Sequence, residues 1–186
     1  MFIKEGGAKG YSSFLSYLIS LALSKTGDTR TAFDNLVEYY GGMLQMGATT
    51  CWENFDVTWM ENACKITEFP SKGKEDIHGD RGEFCYRGFR NSLCHGWSCG
   101  FLPFFVEKVV GFQFTNAECT KIAFTPEMCG LSYIKARIPT EKGIVQVEHR
   151  WIDGAVHTKY VLPQGIECVS DRMNIGIGLE KRAEVV

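Results

Sequence analysis

The stretch Gly47-Ala48-Thr49-Thr50-Cys51-Trp52-Glu53-Asn54-Phe55-Asp56 is where the reading of this chain turns. It follows an amphipathic helix and sets a carboxylate directly after an indole. A second stretch, Ser92-Leu93-Cys94-His95-Gly96-Trp97, opens another apolar helical segment with an imidazole and an indole. Indoles stack on the C–H faces of a pyranose, and polar groups fix its hydroxyls. A carboxylate, an imidazole and indoles converging at helix ends therefore suit a sugar cleft.

Upstream, apolar residues recur at helical spacing from Gly10 to Gly27, through Phe14, Leu15, Leu18, Ile19, Ala22 and Leu23. Lys25-Thr26-Gly27 stops that helix, with a cation in the last turn and glycine after it. Asp28 can cap a second helix through Ala32, Phe33, Leu36, Val37, Tyr40 and Leu44, ended by Gly47. The two form an αα-hairpin of antiparallel neighbours.

Downstream, periodicity disappears between Glu61 and Arg90, and residues 69–82 are polar and turn-rich. A loop of that length is functional or disordered. Helical pattern returns at Ser92 and continues to Val110, with Pro103 starting a new helix or kinking this one. After Gly111 the period becomes two. Residues 120–125, 131–138, 143–151 and 156–162 read as strands, and 175–179 as one more. Asp153-Gly154 is a two-residue hairpin signal. The fold class is mixed, α then β, with residues 1–112 helical and 113–186 a small antiparallel β domain.

Composition bounds the function. The chain has 186 residues, 45% of them hydrophobic, which is enough for a proper core. Twenty Lys and Arg against 22 Asp and Glu leave a net charge of −2. That balance predicts no basic face and argues against nucleic acid. No apolar run has the ~20 residues of a membrane span, and residues 11–23 are interrupted by Ser and Tyr and lack a small-residue cleavage site. None of the eight cysteines forms a C-x-x-C pair, so no zinc site is expected. Free thiols and absent signals place the chain in the cytoplasm. The Gly-rich residues 5–10 lack the Walker spacing and read as a loop.

Tyr39-Tyr40-Gly41-Gly42-Met43-Leu44 leading into Thr49-Thr50-Cys51-Trp52-Glu53, followed by Ser92-Leu93-Cys94-His95-Gly96-Trp97-Ser98, resembles the bacterial α-L-rhamnosidases and their six-hairpin glycosidase relatives. The β half, with Ala136-Arg137-Ile138-Pro139-Thr140 and Gly143-Ile144-Val145-Gln146-Val147, resembles the sandwich domain that follows their barrel. The resemblance covers nearly the whole chain. It implies the last hairpins of an (α/α)6 toroid followed by a small antiparallel β-sandwich, and hydrolysis, with inversion, of terminal rhamnosides or related sugars such as another deoxy-sugar or a uronic acid. An inverting enzyme needs a general acid and a general base with carboxyls about 6.5–9.5 Å apart. By this resemblance Glu53 matches the general base and His95 a residue that contacts sugar hydroxyls. The family's acid lies earlier than anything in this chain. The resemblance thus implies the C-terminal portion of such an enzyme, inactive alone. Its partner would be the missing part of the barrel or another chain, covering an exposed apolar helical face.

Each candidate also has a plainer reading. Glu53 can serve as a helix N-terminal carboxylate, and His95 as a core or cap residue. Trp97 shares a helical face with Leu93 and Phe101, which favours core, whereas Trp52 makes the better stacking platform. Asp56 either orients Glu53 within the substrate site or caps a turn. Asp76, His78 and Asp80 are better read as solvated loop or lid than as metal ligands, with Glu83, Tyr86 and Arg87 weaker lid candidates. No metal and no cofactor is expected. The competing function is a non-catalytic module that binds carbohydrate or a partner chain.

Overall fold

The structure, a computed structural model, describes residues 7–69, 71–74 and 92–169. The lid candidates between 75 and 91 and the strand expected at 175–179 lie outside them. The chain forms two compact units, Met1–Phe104 and Phe105–Val186.

In the first unit, α1 (Leu15–Lys25) and α2 (Thr29–Gln45) form the expected hairpin. The Asp28 side chain accepts from the Thr31 amide, which explains where α2 begins. Tyr11, Trp52, Phe55 and small residues pack against Tyr39 and Met43 of α2. Gly42 is required there, because a Cβ would come within 2.9 Å of the Phe55 ring.

Helix α1 divides its apolar stripe: Leu23 is buried and Ile19 packs against the core, while the rest faces outward beside a set of buried serines. Ser16, Ser20 and Leu23 are buried, as is Ser13 just before the helix, while Phe14, Leu15 and Leu18 are about half exposed at 54%, 46% and 51%. Ser13 and Ser16 are placed by hydrogen bonding, whereas Ser20 Oγ is buried with no hydrogen-bond partner among the described residues. Ser13 Oγ lies 3.1 Å from Tyr39 Oη, and Ser16 Oγ lies 3.3 Å from Tyr40 Oη. An apolar face facing α2 would leave those phenols without these partners.

Residues 92–95 are not helical. His95 is extended (φ −130°, ψ 117°), a 3-10 turn covers Gly96–Cys99, and α3 is a single turn, Phe101–Phe104. Pro103 is accommodated in that first turn, where its missing N–H costs nothing.

The second unit opens with a π-helical turn, Phe105–Val109. It holds two sheets. One has the order β1 (Phe112–Phe114), β2 (Lys121–Phe124), β6 (Glu167–Cys168); the other is the meander β3 (Tyr133–Thr140), β4 (Gly143–Ile152), β5 (Ala155–Val161). β2 and β6 pair in parallel, an exception to the expected all-antiparallel pattern. The β4–β5 hairpin closes through Asp153 (φ 49°) and Gly154 (φ 82°), both left-handed as a tight two-residue turn demands. Ile152 pairs with Ala155 across it. Phe124 of β2 stacks on Tyr160 of β5 and meets His149 of β4 edge-on.

Candidate functional site

The two motif stretches run side by side in opposite directions. The Glu53 amide donates to Ser92 O (2.8 Å) and the His95 amide to Cys51 O (2.8 Å). Thr50 Oγ1 donates to Leu93 O, and Ser98 Oγ to Trp52 O at 2.6 Å. Residues about forty positions apart are thereby locked in register.

Helix α2 supports this ladder through two tyrosines. Tyr39 Oη donates to Phe55 O (2.8 Å) and Tyr40 Oη to Ser98 O (2.6 Å). Burial raises both phenols well above the ordinary range, Tyr40 to about 12, so both remain donors at any physiological pH. Sequence reading missed this role. The adjacent Tyr pair was quoted in the motif, but neighbouring helical residues diverge by about 100° and give no hint of a shared task.

Glu53 is only 6% exposed. Its Oε2 accepts from the Ser92 amide at 3.0 Å and sits 3.9 Å from His95 Nδ1. Its Oε1 is buried with no hydrogen-bond partner among the described residues. A buried carboxylate oxygen without a donor costs on the order of 1–3 kcal/mol.

His95 is partly exposed, and its ring lies 4.2 Å from that of Trp97. Trp97 is 49% exposed, packs on Phe14 at 5.7 Å, and donates its indole N–H to Glu53 O at 3.4 Å. The structure therefore brings Glu53, His95 and Trp97 together.

Two expectations are corrected. Trp52 has no exposed surface and packs edge-on to Phe55, so it is core and not a stacking platform. Trp97, expected in the core, is the accessible indole. Asp56 caps: its Oδ1 accepts from Thr58 N (2.8 Å) and Thr58 Oγ1 (2.7 Å), opening the 3-10 turn Val57–Glu61. Its Oδ2 accepts from the Gly10 amide at 3.3 Å, so Asp56 binds backbone rather than orienting Glu53. Among the described residues no group of His, Cys, Asp and Glu is arranged to hold a metal ion. Cys51, which contacts Cys99, has its thiol pushed up to about 11, mainly by burial, and is a poor nucleophile.

This fold is known. Part of the GH78 family rhamnosidase of Bacillus sp. GL1 superposes on 94% of the chain with a TM-score of 0.66 and 21% identity. The α-L-rhamnosidase of Dictyoglumus thermophilum covers 84% (TM-score 0.59, 21% identity). That of Streptomyces avermitilis, solved with L-rhamnose, covers 82% (0.56, 16%). The chain shares its fold with part of these rhamnosidases. It spans 16%, 15% and 13% of their respective lengths. No family model matches the sequence, and no curated protein matches it. No helix among the described residues is long and apolar enough to cross a membrane.

Proposed function

We propose that this chain supplies the general-base half of an inverting, α-L-rhamnosidase-like glycoside hydrolase site, with the last hairpins of an (α/α)6 toroid and a trailing β-sandwich. Glu53 is the base, His95 a ligand for sugar hydroxyls, and Trp97 the indole against the ring. The general acid comes from outside these 186 residues.

The observation that carries this reading is the state of the Glu53 carboxylate. One oxygen is fixed by the Ser92 amide and the other is buried without a donor among the described residues. An inverting base must hold one water against the anomeric carbon, and an oriented carboxylate with one unused oxygen suits that task. The shared fold supports the sugar class, and the half-exposed Phe14, Leu15 and Leu18 suit further helices packing there.

The test is hydrolysis of an aryl α-L-rhamnoside by the chain expressed together with its flanking coding sequence. Glu53→Gln keeps an acceptor for the Ser92 amide but removes the base, and is expected to lower kcat by about 10²–10⁴-fold. Full activity in that variant would reduce Glu53 to a tie between two backbone segments. The competing reading, a non-catalytic sugar-binding module, would then gain if L-rhamnose still bound.

A further inference from the structure

The near-neutral composition conceals a local charge excess. On the outward face of the β3-β4-β5 meander, register places Tyr133, Arg150 and His157 in one row. Lys135, Glu148 and Lys159 form the next, and Arg137, Gln146 and Val161 the third. The alternate residues Val145, Val147 and His149 are buried on the opposite face. Four cations thus share this face with the single carboxylate of Glu148, contrary to the expectation of no basic face.

The central row is organised around Glu148. Lys135 Nζ lies 3.2 Å from its Oε1 and Arg150 Nη2 lies 3.7 Å from its Oε2, with the Arg150 guanidinium 4.5 Å above the Tyr133 ring. Lys135 holds the Glu148 carboxyl below its ordinary range, so it stays an acceptor. A groove of about 360 Å³ opens on these strands, with Lys135, Gln146, Glu148, Lys159 and Val161 among its walls.

We propose that this face binds a carboxylate-bearing saccharide, Lys135 and Lys159 taking the uronate carboxylates and Gln146 and Glu148 the ring hydroxyls. Charge complementarity selects an anion. The ionised Glu148 in the middle selects among anions: it repels a phosphate backbone, which only accepts, but accepts from hydroxyls, which a uronic acid also carries. The proposal uses none of the residues around Glu53, and so stands or falls separately from the reading of that site.

The experiment titrates the full chain with tri-galacturonate, its fully methyl-esterified form, and an oligothymidylate of matching charge, following backbone amide shifts by NMR. Tri-galacturonate is expected to shift amides of β3, β4 and β5, with affinity falling as salt rises. The neutral ester should bind more weakly. The K135Q/K159Q double variant should weaken tri-galacturonate binding by about tenfold, and Glu53→Gln should leave it unchanged. Equal binding of the ester, tighter binding of the oligonucleotide, undiminished binding by the double variant, or absence of shifts on these strands would each overturn it. Should the double variant fail to fold, the wild-type shift map and the ester comparison decide.

Discussion

At the level of single residues, the contrast between the two indoles is instructive. Trp52 and Trp97 each sit one or two positions from a motif polar group, and local spacing assigned them opposite environments from those observed. The reason is the ladder. Once Cys51–Glu53 pairs with Ser92–His95 in extended form, the helical face that would have buried Trp97 does not exist. Substitution separates the roles. Trp52→Ala should cost about 3–5 kcal/mol of stability, read by chemical denaturation. Trp97→Ala should leave stability within about 1 kcal/mol while weakening L-rhamnose binding, read by calorimetry. The reverse pattern would refute the assignment.

His149 gives a second residue-scale prediction. Its Nε2 lies 3.0 Å from Val110 O, which can only accept, so Nε2 carries the proton and Nδ1 accepts from Thr158 Oγ1 at 2.8 Å. Burial lowers its pKa below the ordinary value near 6.5. The unfolded chain therefore binds this proton more readily than the folded one. Stability from this group is complete above the ordinary value and is lost as pH falls through it toward the folded one. The Tm of the chain should drop between pH 7.5 and 5, and His149→Gln should flatten that slope. An unchanged slope in the variant would exclude His149 as its source.

Among the elements, those whose start or turn chemistry is local were legible. Asp28 announced α2, and Asp153-Gly154 announced the β4–β5 hairpin, because both devices act within a few residues. α1 was legible as a helix but not by its buried side. Periodicity reports that an apolar stripe exists, and cannot say whether the covering partner belongs to the same chain. β1 and β6 are only three and two residues long, too short for a period to register. Gly111 was read as a stop, and it is also a close-packing site. It has φ 69°, and a Cβ would overlap the Thr125 carbonyl, whose own amide donates to Gly111 O at 2.9 Å. Gly111→Ala should destabilise the chain by about 2 kcal/mol or more by thermal or urea unfolding.

For the whole molecule, the decisive quantities are how much apolar surface is left uncovered and how small a share of the rhamnosidase chains is spanned. Phe14, Leu15, Leu18, Leu44 and Leu102 are each 46–67% exposed in the first unit. Isolated chain is expected to bind a hydrophobic dye and to associate with rising concentration in sedimentation. Phe14→Ser with Leu18→Ser should suppress both without loss of helix content. A monodisperse wild-type chain that ignores the dye would contradict this. The position of Glu53 beside His95 was legible from motif alone, but the supports beneath it were not. The relay from Ser13 through Tyr39 to the Phe55 carbonyl, and the bond from Tyr40 to the Ser98 carbonyl, join α2 to segments far from it in sequence.

The ladder between Cys51–Glu53 and Ser92–His95 bears on how such a site can diversify. Its hydrogen bonds pin both ends of the intervening chain, so the carboxylate and the imidazole stay in place whatever length of polypeptide joins them. Loop closure grows only logarithmically with length, about 0.6 kcal/mol per doubling. Insertions in the polar stretch 69–82, clear of the core residues Phe55 and Ala63, are therefore cheap, and new rims can be tried around an unmoved Glu53 and His95.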